Sequence, residues 1–344
     1  MSSFTPWRHA GELAAAGFAA ALISAGLIVA LMPLLRRYAL ARPNARSSHV
    51  TPTPQGGGIA VVASTLLVVT VIVLLSPDLF AGSRWPLTLL FLSAIALAIV
   101  GCIDDIWVMD VLPRLIFQFA GAAAIVVARP GDLDFVPFLP SWTESLAVVI
   151  AGVWFINLVN FMDGIDWITV VETATVTGGV ILIGCIVPLP VLAIVMATAL
   201  FGATIGFAPF NKPVARLFLG DVGSLPLGLL LFWLLLQLAA SGYVAAALLL
   251  PLYYLADATV TLLWRALRGE RVTQAHRSHY YQQATARGLP VAAVLLRIAA
   301  VNTLLILLAL ITVWANMIVV DIVALAAGAA ATAGLLFALA QGKG

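Results

Sequence analysis

The stretch Pro86-Leu-Thr-Leu-Leu-Phe-Leu-Ser-Ala-Ile-Ala-Leu-Ala-Ile-Val-Gly-Cys-Ile-Asp104-Asp105 sets a long uncharged run against two adjacent carboxylates. An α-helix rises 1.5 Å per residue, so about 20 apolar residues cross the hydrocarbon layer of a bilayer. The run reads as a membrane span that stops at an acid pair. A carboxylate costs about 2.5–3.5 kcal/mol at the centre of a membrane helix. Adjacent carboxylates also repel unless a cation or a proton relieves them. The pair therefore marks a site at one edge of a membrane.

The rest of the chain repeats this pattern. Its 344 residues are 63% hydrophobic and 9% charged, with a mean hydropathy of +1.11. A soluble domain carries about 25% charged residues. This composition predicts an all-α, polytopic integral membrane protein. Eleven candidate spans fall near 13–35, 58–76, 86–103, 111–129, 143–160, 167–187, 190–207, 222–240, 244–264, 290–312 and 317–340. The first run is too long for a signal-peptide core and lacks a basic leader and a cleavage site, so it reads as a retained span. Very short turns at Pro188-Leu189-Pro190 and Ser241-Gly242 predict helical hairpins. With no internal repeat, low-complexity tract or soluble portion, residues 1–344 read as one multi-pass domain. The net charge of +2 gives no ground for nucleic-acid binding. Cys102 and Cys185 lie in apolar runs without metal or disulfide spacing.

Lys and Arg in short loops set the orientation. With the loop bearing Arg36, Arg37, Arg42 and Arg46 placed in the cytoplasm, thirteen basic residues fall inside, three (Arg8, Arg84, Arg129) fall outside, and Arg297 lies within a span. The N-terminus is then outside and the C-terminus cytoplasmic, with cytoplasmic loops near 36–57, 104–110, 160–166, 208–221 and 265–289. The count uses no acidic residue, yet it gathers every polar cluster of the chain on that side.

Each cluster has chemistry to offer. In Asp104-Asp105, one carboxylate can hold a divalent ion while the other takes a proton or attacks. Asn157, Asn160, Asp163 and Asp166 recur every three residues and would share one broad helix face. Asp221, flanked by Gly220 and Gly223, suits Mg2+, which takes one or two carboxylates plus substrate phosphates. Gly56-Gly57-Gly58 at the start of the second span offers backbone N–H groups to an anion. His276-Arg277-Ser278-His279 combines cation and hydrogen-bond donors that suit a diphosphate. Three polar residues lie inside spans: Glu172, Asp257 and Asn302. Glu172 and Asp257 either line the site from behind or pair with a neighbouring helix.

Taken together, Ser48-His49-Val-Thr-Pro-Thr-Pro-Gln-Gly-Gly-Gly58, Asp104-Asp105, the Asn157–Asp166 motif, Gly220-Asp221-Val-Gly223-Ser224 and His276-Arg-Ser-His279 resemble the polyprenyl-phosphate N-acetylhexosamine-1-phosphate transferase superfamily (glycosyltransferase family 4). The likeness is greatest to the bacterial branch that starts O-antigen or other surface-glycan lipid intermediates. The resemblance implies a protein of the bacterial inner membrane with its active site on the cytoplasmic face. It implies transfer of a sugar 1-phosphate from a UDP-N-acetylhexosamine to undecaprenyl phosphate, releasing UMP, with Mg2+ required and Mn2+ able to substitute. It implies catalytic roles for Asp104 and Asp105, and metal ligation by Asp221 and Asp105. Asn157, Asn160, Asp163 and Asp166 would bind the nucleotide sugar. His276, Arg277, His279, Gly57, Gly58 and His49 would bind phosphate. Homodimers occur in the superfamily, and membrane lipids are the other expected partners. Two positions depart from the family pattern. Trp167 stands where a glycine is common, and Ile106-Trp107 replace a basic residue, which leaves Arg114 or the histidine loop to neutralise charge. The competing reading is an ion- or proton-coupled transporter, whose acids usually sit near the midplane in related repeats.

Overall fold

The computed structural model describes residues 9–41, 52–107, 109–128, 140–271 and 276–342. Within them the apolar runs become helices, because a chain in lipid must satisfy every backbone polar group within itself. Those long enough to span are α1 (Ala10–Tyr38), α2 (Gly58–Leu75), α3 (Arg84–Ile106), α4 (Val111–Ala128), α5 (Ser141–Met162), α6 (Ile168–Ile186), α7 (Val191–Asn211) and α8 (Asp221–Ala240), and near the C-terminus α12 (Val291–Ala315) and α13 (Ile318–Gln341). Between α8 and α12 lie α9 (Val244–Leu249), α10 (Leu252–Leu267) and the short α11 (Tyr280–Ala286).

Ten helices among the described residues are long and apolar enough to cross a membrane. The ninth of the eleven expected spans, 244–264, is broken into α9 and α10 at Leu250-Pro251. Proline has no N–H and its ring collides with the preceding turn, so it starts a new helix here rather than continuing the old one. The all-α polytopic architecture stands, with one span in two pieces.

Helix α8 is the axis of the bundle. Val222 through Leu236 are buried without interruption, and leucines surround it on all sides. A helix that is apolar all round belongs in the interior. Helices α2, α3 and α5 pack on it, and α1 packs along α7. The outer helices keep large apolar side chains exposed, among them Phe18 and Leu22 of α1 and Ile318, Val319, Ile322 and Val323 of α13. This is the surface expected of a protein solvated by lipid tails.

At one end of the bundle the chain makes a small sheet that the hydropathy pattern does not announce. Strand β1 (Leu40–Ala41) pairs antiparallel with β2 (Thr53–Pro54), and Gln55 bridges to Phe218. Phe218 N donates to Pro54 O at 2.9 Å, and Gly57 N returns a bond to Phe218 O at 2.9 Å. The sheet fastens the loop before α2 to the loop before α8, at the end where the polar clusters meet.

Candidate active site

Asp104 and Asp105 occupy the last turn of α3. Adjacent helical residues point about 100° apart, so the two carboxylates face different neighbours. Asp105 faces α8: its Oδ1 accepts Asp221 N at 3.0 Å and its Oδ2 accepts Val222 N at 3.1 Å. It therefore caps the first turn of α8 from another helix, where the free amides and the helix dipole favour an anion. Asp104 faces outward to α4. Its Oδ1 accepts Met109 N, and its Oδ2 lies 2.6 Å from Arg114 Nη1. The same Arg114 nitrogen stands 3.6 Å from Asp221 Oδ2. Asn160 of α5 donates through Nδ2 to Asp221 Oδ1 and to Ser224 Oγ, both at 2.8 Å.

The result is a two-carboxylate cluster, Asp104 with Asp221, converging on one positive charge and steadied by Asn160. Its donors are all hard oxygens. Among the described residues no group of three or more His, Cys, Asp or Glu forms a complete metal cage. Two carboxylates with open positions are what Mg2+ uses when substrate phosphates supply the remaining ligands. The residues present therefore fit that ion.

Beside the cluster a groove of about 580 Å³ runs between α4, α5 and α10. Val111, Leu115, Phe119, Ile150, Val153, Trp154 and Leu262 make most of it apolar, and Arg114, Asn157, Asn160, His276 and His279 give it a polar side. Phe119 and Ile150 are exposed on the outside of the bundle, so the apolar part lies beside the surface that meets lipid.

Residues 87–239, which carry Asp104, Asp105, Asn160 and Asp221, match the model of glycosyl transferase family 4. That segment is similar to glycosyl transferase family 4. Its relatives include the decaprenyl-phosphate N-acetylglucosaminephosphotransferases of Mycobacterium leprae, 29% identical over 64% of this chain and 60% of the relative, and of Mycolicibacterium smegmatis, 30% identical over 64% and 58%. A Bacillus subtilis protein named as a probable undecaprenyl-phosphate N-acetylglucosaminyl 1-phosphate transferase is 24% identical over 78% of this chain and 77% of its own length. The chain thus spans about three-fifths of the mycobacterial relatives it matches.

The structure sorts the residues expected at the site. Asn157 is turned aside: its Nδ2 donates to Gln118 Oε1 at 2.6 Å and to Val153 O at 2.8 Å, so it ties α5 to α4 at the groove wall. Asp166 accepts Ala215 N at 2.9 Å and holds the loop before α8. Asp163 is half-buried and accepts Thr169 Oγ1 at 2.5 Å.

One expectation needs correction. The sequence predicts an anion nest at Gly57 and Gly58. Their amides instead donate to Phe218 O and Leu219 O, each at 2.9 Å. Gly58 also lies so close to Gly223 that a Cβ on it would overlap the Gly223 backbone. These glycines let α2 and α8 touch and leave no amide for phosphate. Asp105 accepts two backbone amides of α8, and Asp104 stands with Asp221 beside Arg114. His49 lies outside the described residues.

Trp167 takes a left-handed backbone, φ +65°, which costs about 1–2 kcal/mol for any residue but glycine. A glycine, the residue the resemblance leads one to expect here, would take this conformation without that cost. Here Trp167 Nε1 donates to Ala208 O at 2.7 Å and its N–H donates to Asn211 Oδ1 at 2.8 Å, which offsets the strain. Arg114, ten residues beyond Asp104, supplies the charge absent at Ile106-Trp107.

Removal from water chiefly, with the negative charges of Asp105 and Asp166, pushes the Asp163 carboxyl from 3.8 up to about 6, against the Thr169 hydroxyl. The folded protein thus binds more protons than the unfolded chain between those two values. This group's contribution to stability falls as pH rises through that window and is level above it. Asp163→Asn is expected to remove that slope and to raise the melting temperature at pH 7 more than at pH 4. Thermal scans at both values check it, and an equal or larger gain at pH 4 would contradict it.

Burial chiefly, with the charges of His279 and Arg265, lowers His276 to about 4, so at neutral pH it meets a ligand as neutral imidazole. The two intramembrane acids also separate. Glu172 accepts Asn302 Nδ2 at 2.9 Å and joins α6 to α12, whereas Asp257 binds the histidine loop. Sequence reasoning left Asp257 undecided; its place after Pro251 in a broken span was the available signal.

Proposed function

We propose that this protein transfers an N-acetylhexosamine 1-phosphate from a UDP-sugar to a polyprenyl phosphate such as undecaprenyl phosphate, giving the lipid-linked sugar diphosphate and UMP. The observation that carries the reading is the convergence of Asp104, Asp221 and Arg114 at the polar side of an apolar groove. A lipid phosphate can lie with its chain among Leu115, Phe119 and Ile150 while its head reaches Arg114 and Asn160. Arg114 then neutralises crowded phosphate oxygens. Asp105 holds the start of α8 so that Asp221 stays opposite Asp104. Mg2+, held by Asp104 and Asp221, would supply Lewis-acid stabilisation of the transferring phosphoryl group. The names of the relatives, each a polyprenyl-phosphate N-acetylglucosamine phosphotransferase, support this acceptor and donor class. The basic-residue bias supports a cytoplasmic site, with the N-terminus outside, in a bacterial inner membrane, and the product suits the first lipid-linked step of a surface glycan.

The test is direct. Purified protein in nanodiscs receives undecaprenyl phosphate, Mg2+ and a panel of radiolabelled UDP-N-acetylhexosamines, with EDTA as control. The expected result is UMP release with label in the lipid fraction, abolished by EDTA. Absence of lipid label with every donor would overturn the reading. Ion flux through sealed vesicles without turnover would favour a transporter instead.

A further inference from the structure

Tyr281 of α11 has no solvent exposure, and its hydroxyl ends at backbone far from its own helix. It donates to Phe161 O at 3.1 Å. The last carbonyls of a helix have no partner within it. Helix α5 ends at Met162, so Phe161 O is one of them. The Gly164 N–H, in the turn between α5 and α6, donates to the same hydroxyl oxygen. A phenol can donate and accept, so one group satisfies both. Glycine leaves the room for this: a Cβ at position 164 would overlap the Tyr281 hydroxyl. The rest of Tyr281 is fixed as well. Its N–H donates to Asp257 Oδ2 at 3.4 Å, beside Tyr280 N on Oδ1 at 3.1 Å. Its ring stacks on His279, with centroids 5.8 Å apart and planes 15° from parallel. Asp257 comes from α10 and is itself sealed from solvent. Tyr281 is thus a strut from α10 and the histidine segment to the end of α5.

That end of α5 carries part of the site. Asn160 directly precedes Phe161, and its Nδ2 donates to Asp221 Oδ1 and Ser224 Oγ, both at 2.8 Å. Asn160 and Phe161 both line the groove. A free last turn would let Asn160 swing, and Asp221 would lose the amide that steadies it. Resting on the transferase reading above, we propose that Tyr281 is a positioning residue: its hydroxyl closes the last turn of α5, so that Asn160 keeps Asp221 opposite Asp104. Tyr281 touches neither substrate and acts through Asn160. Electrostatic catalysis depends on charged groups being in place before the reaction starts. The contribution of the strut therefore falls on the rate of transfer rather than on capture of the donor.

Tyr281→Phe removes one oxygen and keeps the ring on His279. Kinetics in nanodiscs use undecaprenyl phosphate with UDP-N-acetylglucosamine, or whichever panel donor turns over. Rates are taken per folded protein, well below each variant's melting temperature, so that lost stability alone does not register. Tyr281→Phe is expected to lower kcat about 10-fold, a smaller loss than a full 1 Å misplacement brings, with the donor KM little changed. Asn160→Ala should be slower still. The double variant Tyr281→Phe with Asn160→Ala should be no slower than Asn160→Ala, because the strut acts through that residue. A merely structural role would leave kcat per folded protein unchanged. Gly164→Ala supplies the converse test. Its Cβ pushes against the hydroxyl, so it should also lower kcat, and adding Tyr281→Phe should restore the rate to that of Tyr281→Phe alone. The other close atom, Gln282 Nε2, is the end of a flexible side chain and can move aside. A full-rate Tyr281→Phe, a double variant with Asn160→Ala that loses the product of both factors, or a Gly164→Ala loss that Tyr281→Phe does not relieve would each overturn the proposal. Any of these would leave the transferase reading intact, because that reading fails only if the wild-type protein does not turn over. Should Tyr281→Phe not fold, Gly164→Ala still decides: a full rate there would show that the strut sets nothing at the site.

Discussion

Asp104→Asn and Asp221→Asn are each expected to lower turnover about 1000-fold while the helices stay assembled. Removal of one preorganised electrostatic contact from a transition state costs roughly 100- to 1000-fold, and a carboxylate that holds a cation against developing charge belongs at the upper end. Neither carboxylate secures the backbone of another helix. Asp104 meets Arg114 and the nearby Met109 amide, and Asp221 meets Asn160 and Arg114 through side chains. Asp105→Asn should behave differently. An amide cannot accept at both positions, so one of the Asp221 and Val222 N–H groups loses its partner. An unsatisfied buried donor costs about 1–3 kcal/mol. Asp105→Asn should therefore lower both turnover and melting temperature, whereas the other two lower turnover alone. UMP release and thermal unfolding, measured on the same preparations, separate the cases. Near-normal turnover in Asp104→Asn or Asp221→Asn would remove the carboxylate cluster from the mechanism. An unchanged melting temperature in Asp105→Asn would remove the cap.

The contrast among three aspartates shows where the sequence stops being legible. Hydropathy revealed the spans, because an apolar run and its length are local properties. It did not reveal the break at Leu250-Pro251, since a window long enough to find a span averages the apolar α9 with the start of α10. The family motifs carried the acids to one end of the bundle, and the positive-inside count drew them there without using them. Which of two neighbouring aspartates faces α4 and which faces α8 depends on the rotation of α3 about its axis. Gly57 and Gly58 failed for a related reason. A glycine pair at a helix start is an anion nest only if its amides are free, and theirs go to Phe218 and Leu219, some 160 residues on. The bond between Asp257 and His279 likewise joins a broken span to a loop, and no spacing rule connects them.

Gly101→Ala is expected to lower turnover about 100-fold and also to destabilise the protein, although alanine is the better helix former. In an exposed helix interior that exchange would stabilise by about 1 kcal/mol. Here a Cβ at position 101 would run into the carbonyl group of Asp221 and come within 2.5 Å of Val222 N. Those atoms are the backbone at the start of α8, which cannot swing aside as a flexible side chain could. Helices α3 and α8 must therefore part, and overpacking of this kind costs about 1–3 kcal/mol. Asp104 and Asp105 follow Gly101 by three and four residues, so the same displacement draws Asp105 from its amides and Asp104 from Asp221. Misplacing reacting groups by about 1 Å can cost 100-fold in rate. Gly334→Ala in α13 provides the control, since nothing lies within 4 Å of its missing Cβ. It should raise the melting temperature slightly and leave turnover unchanged. If Gly101→Ala instead matched Gly334→Ala in both measurements, the close approach of α3 to α8 could not be what sets Asp104 opposite Asp221.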